Sequence, residues 1–580
     1  MWGNGMSRRL LAGLAATAVG LTAATAAVVT TVATAPPAAA SNNGLSIRPA
    51  LAWSSWSFVR RMPTEAKIKA QADAMVSSGL AAHGFLYINL DDFWQKCDSN
   101  GFVVDGNGRW AVDPAKFPSG IKALADYVHG KGLKFGFYVT PGIARNAVDA
   151  NTPIAGTSFH ARDIADTTRT ERNFNCKNMF FIDYSKPGAQ EFVNSWADQF
   201  ASWGIDYLKI DGVGAADIPD VQAWDTALRQ TGRPINYALS NNLPIANATT
   251  WRQLANSWRT QGDVECYCGP GPNGSGFPLT DWAHVTTRFN SAASWQQFAG
   301  PGGWNDLDSL QIGNGDQMGI TADQRRSMFT LWAMAASPLI LGSDLTALTA
   351  TDLAMLTNDR LIGVDQDGVA AARIVSSGSN QVWRKREANG DFVVALFNTA
   401  TSGTSTVSVT WSQVGFSGSA AVTDLWSGAS QGTIANSYSA SLRPGETRLI
   451  RVRPGAGSGT AVEGEAGVLG GSARVAACAA CSGGQKVRFI GNGAGNDATL
   501  PVPVAAAGTR TLTLFGTVSG TRSFSVSVNG GAAQTVALTG ADFTNPVSAT
   551  VAVSLTAGTN SIRLFNDTAF APDLDRITLS

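Results

Sequence analysis

Histidine is nearly missing from this chain. Four occur in 580 residues, at His83, His129, His160 and His284, widely separated along the sequence. That scarcity argues against a histidine metal site and against a Ser-His-Asp triad, which both need imidazole at the reacting atoms. Charge is sparse too: Asp, Glu, Lys and Arg make up 15% of the residues and balance to a formal net charge of +0. With no basic stripe, the chain lacks the electrostatic footprint of a nucleic-acid partner. No segment beyond the first forty residues reaches the ~18 apolar residues needed to cross a bilayer, so no membrane association is expected.

What is present points to an exported, multi-domain globular protein. Hydrophobic residues are 44% of the total, too many for a disordered chain, and the length calls for two or three domains. Arg8 and Arg9 open a charged start, an Ala/Leu/Val/Thr run follows from Leu10, and Ala38-Ala39-Ala40 supplies small residues for cleavage. Residues 1–40 are therefore read as a signal peptide in preference to a membrane anchor, and the protein as secreted and extracellular. Ser7-Arg8-Arg9-Leu10-Leu11 is also a weaker fit to a twin-arginine signal. Export permits disulfides. Six cysteines allow about 15 pairings, of which Cys97–Cys176, Cys266–Cys268 and Cys478–Cys481 are expected. Cys478 and Cys481 have no second pair and no histidine nearby, so a local staple is preferred there to zinc or redox chemistry.

From about residue 45 to 368, short apolar runs alternate with helical stretches. Strands are predicted at 85–90, 133–139, 206–210, 235–239 and 339–341. Helices are predicted at 64–78, 119–130, 188–203, 221–231 and 321–336. Strands this apolar are buried on both faces, as in a parallel sheet covered by helices. The span suits a (β/α)8 TIM barrel better than an open sheet, and no G-x-G-x-x-G follows a strand. Residues 369–453 change to short polar-flanked strands, an antiparallel β-domain. Residues 454–460 are a linker by composition, and 461–580 read as a C-terminal β-sandwich module.

Several barrel strands end in carboxylates: Asp91 and Asp92, Asp211, Asp263, then Asp306 and Asp308. The C-terminal ends of barrel strands are where such folds place their active sites. One ionised and one protonated carboxyl are what glycosidic cleavage needs. Lys209 lies two residues before Asp211, on the same strand face, so Asp211 is expected to be held charged as the nucleophile. Asp263 is then the acid/base, with a pKa expected to be raised by burial or a neighbouring carboxylate.

Trp53-Ser-Ser-Trp56, Tyr87-Ile-Asn-Leu-Asp-Asp-Phe-Trp94, Gly132-Leu-Lys-Phe-Gly-Phe-Tyr138, Trp203-Gly-Ile-Asp-Tyr-Leu-Lys-Ile-Asp211 and Gly300-Pro-Gly-Gly-Trp-Asn-Asp306 resemble glycoside hydrolase family 27 across roughly residues 45–453. The resemblance implies a retaining, exo-acting α-glycosidase working without a catalytic cofactor, most often an α-galactosidase acting on terminal α-linked sugars of plant or microbial polysaccharides. It too places the nucleophile at Asp211 and the acid/base at Asp263, and it lines the sugar pocket with Trp56, Asp91, Asp92, Tyr138, Lys209 and Arg259. Two departures bear on the sugar. Ser240-Asn241-Asn242 stands where the family's α-galactosidases show Cys-Glu-Trp to read the 2-position, making Ser240 and Asn241 the candidates there. An insertion from Gly142 to about Lys186 is expected to reshape the rim. Isomalto-dextranase and β-L-arabinopyranosidase activity are the alternatives within the family. A non-catalytic sugar-binding protein is the alternative outside it.

The module's ends, Ala461-Val-Glu-Gly-Glu465 and Pro572-Asp-Leu-Asp-Arg-Ile577, resemble those of a family 35 carbohydrate-binding module. That resemblance implies a structural calcium ion held by Glu463, Glu465 and Asp575, hard oxygen ligands of the kind Ca²⁺ takes. Asn566 is the candidate sugar contact. The module has no Trp or Tyr, so an end-on polar grip is expected in place of a stacking platform.

Overall fold

Eight short parallel strands carry the first domain of this computed structural model, which describes residues 43–455, 459–504 and 506–580. The expected signal peptide and the middle of the linker lie outside the described residues. The strands are β1 (Leu51–Ser54), β2 (Tyr87–Asn89), β3 (Lys134–Val139), β4 (Tyr207–Ile210), β5 (Asn236–Leu239), β6 (Ser257–Arg259), β7 (Trp304–Asp306) and β8 (Leu339–Leu341). They pair in the order β7-β6-β5-β4-β3-β2-β1-β8, and a parallel bridge from Leu310, just after β7, to Leu341 closes the ring. The (β/α)8 reading therefore holds. All five strands and five helices expected from the sequence are present, shifted at their ends by up to three residues.

Helices Glu65–Ser77, Gly120–Gly130, Ala189–Trp203, Ile218–Gln230, Trp282–Trp295 and Ala322–Ala335 are among those covering the ring. Thr321 caps the last of these as foreseen, its hydroxyl accepting from Gln324 N while Gln324 reaches back to Thr321 N. The strands are short because their work is positional. Each brings two or three side chains to the carboxyl end, and register keeps neighbours level: Tyr138 lies opposite Lys209, and Arg259 opposite Asp306. Gly136 shows how tight this is, since a Cβ there would sit 1.9 Å from Asn89 Oδ1. Only glycine lets β2 and β3 approach with that asparagine between them.

The stretch after β3 forms a small rim. Strands Ile143–Ala144, Ala165–Glu171 and Met179–Ile182 make a sheet of their own, and Cys97–Cys176 ties it to the segment following β2. The other two expected pairs, Cys266–Cys268 and Cys478–Cys481, are also bonded.

Beyond the barrel, strands from Ala372 to Pro454 build an antiparallel six-stranded sheet against a two-stranded one, with Val394, Leu396, Trp411 and Ile450 in the core between them. Lys385 fastens this domain to the barrel. Its ammonium is fully buried and donates to the carbonyls of Ala333, Val364 and Val369, and it pairs with Asp367 at 2.9 Å. Two of those carbonyls end helices Ala322–Ala335 and Asp359–Asp365, where a cation meets the negative end of the helix dipole. The third domain is an antiparallel sandwich around Leu500, Leu514, Val526 and Ile577, dominated by the long hairpin Gly508–Val528 and Gln534–Leu555. It docks on the second through strand Thr460–Glu463, with Ala461 N donating to Gly415 O at 3.0 Å.

Lys385→Met should strand Asp367 and three carbonyls together. We expect a loss of about 3 kcal/mol of stability, read as a lower denaturant midpoint for the barrel and second domain.

Candidate active site

A cavity of about 510 Å³ opens at the carboxyl ends of the strands, lined by Trp56, Asp91, Asp92, Tyr138, Lys209, Asp211, Asn241 and Asp263. All eight are residues that the sequence reading placed at the site. Phe93, Phe174 and Tyr267 join them. None of the four histidines reaches this wall.

Asp211 directly follows β4, where its amide donates to Val139 O and its Oδ2 accepts from the Tyr138 hydroxyl at 3.2 Å. The expected partnership with Lys209 is different in the structure. Lys209 Nζ forms its ion pair with Asp91 Oδ2 at 2.8 Å, because Asp91 leans over the strand end from β2. Burial opposes the charge on Lys209, but Asp91 and Asp211 outweigh it and hold the ammonium protonated. Asp92 is a neighbour of opposite character. Burial, with Asp91 and Asp211 adding repulsion, pushes its carboxyl up to about 7 against hydrogen bonds from Phe93 N and Gln95. Its Oδ2 is buried with no protein partner.

Arg259 organises the other wall from behind. Its Nη2 holds Asp263 Oδ1 and its Nη1 holds Asp308 Oδ1, both at 2.9 Å. Asp308 then takes Val264 N on its second oxygen at 2.6 Å, fixing the turn that carries Asp263. Asp308 adopts φ 80, a left-handed conformation that Asp tolerates better than most side chains. The expectation of a raised pKa at Asp263 is overturned here. Burial does push it up, but Arg259, the Tyr267 hydroxyl and Lys209 together prevail and hold it down at about 2. Arg259 and Ser240 do not line the main cavity. They border a cleft of about 30 Å³ beneath it, where Ser240 Oγ lies 3.5 Å from Arg259 Nη1. Asn241 alone of that pair faces the sugar space.

Glu265 and Tyr267 went unnoticed in the sequence. An oxygen of Glu265 lies within 4.8 Å of oxygens of Asp263 and Asp308. Its Oε1 accepts from Ser57 Oγ and from Gln311 Nε2 at 3.2 Å, and its Oε2 is buried without a partner. Three carboxyls this close together cannot all be ionised cheaply. Burial, then Asp308 and Asp263, push Glu265 up to about 8. The available signal was the spacing Asp263-Val-Glu-Cys-Tyr-Cys268, where a bridged Cys-x-Cys pins residues beside a catalytic candidate.

The module candidates fare unevenly. Glu463 Oε1 accepts from Ser482 Oγ at 2.6 Å, and Glu463 Oε2 and Glu465 Oε2 are buried without partners, as open ligand positions would be. Asp575 is filled instead: Ser482 N donates to Oδ1 at 2.9 Å and Arg576 Nη1 pairs with Oδ2 at 2.7 Å. Asn566 is spent within the module, on its own loop and a neighbouring strand. Its Nδ2 donates to Ser523 O at 3.0 Å and its Oδ1 accepts from Ala569 N at 3.1 Å.

A closed parallel barrel with two candidate carboxylates lining one cavity at its carboxyl end is the arrangement of a glycoside hydrolase. Residues 61–170 and 181–367 match the family model described as Alpha galactosidase A, and residues 377–452 match the alpha galactosidase C-terminal beta sandwich domain. The chain belongs to the alpha-galactosidase family of glycoside hydrolases. The break at 171–180, within the expected insertion, carries Phe174 and Cys176. Alpha-galactosidase 3 of Arabidopsis thaliana is 36% identical over 396 residues, covering 66% of this chain and 77% of that protein. The alpha-galactosidase of Oryza sativa subsp. japonica is 33% identical over 426 residues, 72% of this chain and 87% of that one. Among solved structures, a GH27 β-L-arabinopyranosidase from Geobacillus stearothermophilus is similar with TM-score 0.64 and 30% identity, covering 71% of this chain and 98% of that chain. Alpha-galactosidase I from Mortierella vinacea is similar with TM-score 0.57 and 29% identity, again over 71% and 98%.

The proton on Glu265 gives a sign-definite test. The folded protein holds it to about pH 8, whereas the unfolded chain releases it near 4.5. Stability from this group is therefore complete below pH 4.5 and is lost as pH rises through 8. Glu265→Gln should remove that slope, gaining on the wild type by up to about 1.4 kcal/mol per pH unit, seen as a difference in Tm that widens from pH 5 to pH 8.

Proposed function

We propose that this protein is an exported, retaining exo-α-galactosidase in which Asp211 is the nucleophile and Asp263 the acid/base. The observation that carries the reading is that these two carboxylates line one cavity, each beside a cation of its own. Asp211 is steadied by a tyrosine hydroxyl beside an ammonium, and Asp263 is gripped by a guanidinium. Asp211 attacks the anomeric carbon while Asp263 delivers a proton to the departing glycosidic oxygen. Asp263 then takes a proton from the water that releases the sugar. Lys209, Asp91 and Asp92 offer a cation and carboxyls to the hydroxyls of the terminal sugar, and Trp56 stacked on Phe93 supplies an apolar face. The substrate class follows the named relatives, and the three disulfides suit an extracellular setting.

A second reading, hydrolysis of β-L-arabinopyranosides, is favoured by the Geobacillus stearothermophilus relative and by Asn241 at the position where the family's α-galactosidases differ. That sugar is α-D-galactose without its C6 hydroxymethyl group, so one pocket can hold both. Assays on aryl α-D-galactoside and aryl β-L-arabinopyranoside decide the preference. Azide decides the roles, because each displacement inverts the anomeric centre. Asp263→Ala with azide should yield the α-galactosyl azide, and Asp211→Ala the β-galactosyl azide. The same anomer from both variants would sink the assignment.

For the module, we propose that Glu463 and Glu465 hold a calcium ion as a structural element and that the domain binds carbohydrate end-on. Their orphaned buried oxygens support this, while the Arg576 pairing leaves Asp575 outside the ligand set. Calcium should raise the Tm of the full-length protein, and Glu463→Gln should abolish that rise without changing turnover of the aryl galactoside.

A further inference from the structure

Both oxygens of Asp263 are occupied. Arg259 holds Oδ1, and the Tyr267 hydroxyl donates to Oδ2. A donor on each oxygen stabilises the ionised form, so a carboxyl that must hand a proton to a leaving group takes that proton more readily once one donor has withdrawn. The two donors are unlike in their freedom to withdraw. Arg259 is 3% exposed and its other nitrogen serves Asp308, so its departure would leave buried charges uncompensated. Tyr267 is 40% exposed at the cavity mouth. Only its ring and tip are engaged: the hydroxyl accepts from Trp56 Nε1 at 3.0 Å, and the Arg60 guanidinium lies 4.7 Å from the ring centre.

The backbone beneath that side chain is tightly hemmed in. Tyr267 stands between two cysteines bonded to each other. A Cβ on Gly274 would lie 2.2 Å from Tyr267 O, so the loop folds back onto the tyrosine's own peptide. What can move is the side chain, about its rotamer, on a fixed pivot.

We propose that Tyr267 is a latch on the acid/base, capping Asp263 in the empty site and swinging away when the leaving-group sugar occupies the mouth. The inference rests on Asp263 being the acid/base. With the latch open, Asp263 Oδ2 carries a proton taken from solvent water. It gives that proton to the glycosidic oxygen as the bond to the anomeric carbon breaks and its electron pair stays on that oxygen, while Asp211 forms the new bond to carbon. Tyr267 keeps its own proton throughout. It is a positioning residue, and its ring, displaced to the rim, becomes a wall for the leaving-group sugar.

The test separates free from bound enzyme. On methyl α-D-galactoside, whose poor leaving group demands an acid, Tyr267→Phe should move the basic limb of kcat/KM upward by about one pH unit. The basic limb of kcat should stay where it is, because the bound complex has already released the hydroxyl. Trp56→Phe, which takes away the donor that orients the hydroxyl, should move kcat/KM in the same direction by less. If both limbs of Tyr267→Phe move together, or neither moves, the latch is wrong. If Asp263→Ala shows no azide rescue on an activated aryl galactoside, the acid/base assignment itself has failed. Rescue intact with static limbs condemns the latch alone.

Discussion

One guanidinium sets the terms at the barrel mouth. Arg259 is buried at the end of β6 between Asp263 and Asp308, and each would lose its ion pair without it. Removing one partner of such an arrangement typically costs about 3–5 kcal/mol, so the fork behaves as a fixed point around which other groups settle their charges. Glu265 keeps a proton because it is buried beside the two carboxylates that the fork holds ionised. Lys209, on β4 two strands away, pairs with Asp91. The site therefore holds neutral and ionised carboxyls side by side, which is the raw material of acid/base chemistry.

Which residues meet was legible in the sequence, whereas which partner each one takes was not. Parallel strands place successive inward side chains at one end of a barrel, so Asp91, Asp211 and Asp263 could be brought together from strand order alone. Competition for a cation depends on fractions of an ångström. Lys209 is two residues from Asp211 in sequence, yet Asp91 from another strand reaches its ammonium. Asp263 is a similar case. Burial was foreseeable, but its sign was reversed by an arginine four residues earlier and a tyrosine four residues later. Strands β1, β6 and β7, three or four residues long, carry too little periodicity to be read as strands, although their flanking motifs stood out. In the module, Asn566 was chosen by residue type, but a loop asparagine commonly satisfies its own turn, as this one does.

The outer domains extend this logic away from the catalytic centre. Lys385 gathers two helix ends and an aspartate into one buried joint, so the second domain is seated on the barrel by charge and hydrogen bonding as well as by apolar area. The third domain meets the second along one strand and a pair of serines, Ser412 and Ser482, beside the carboxylates Glu463 and Asp575. Its attachment and its candidate cation ligands share the same few residues.

The bridge from Cys97 to Cys176 has a further meaning for how such a site can diversify. It joins the segment after β2, which follows Asp91 and Asp92, to the rim that presents Phe174. Floor and rim on that side are one covalent piece, and a change of length in either is felt by the other. The opposite wall is built from a loop closed only upon itself, by a bond between residues two apart. A change of length on the first side has to be matched across the bridge, whereas the second loop is closed within itself.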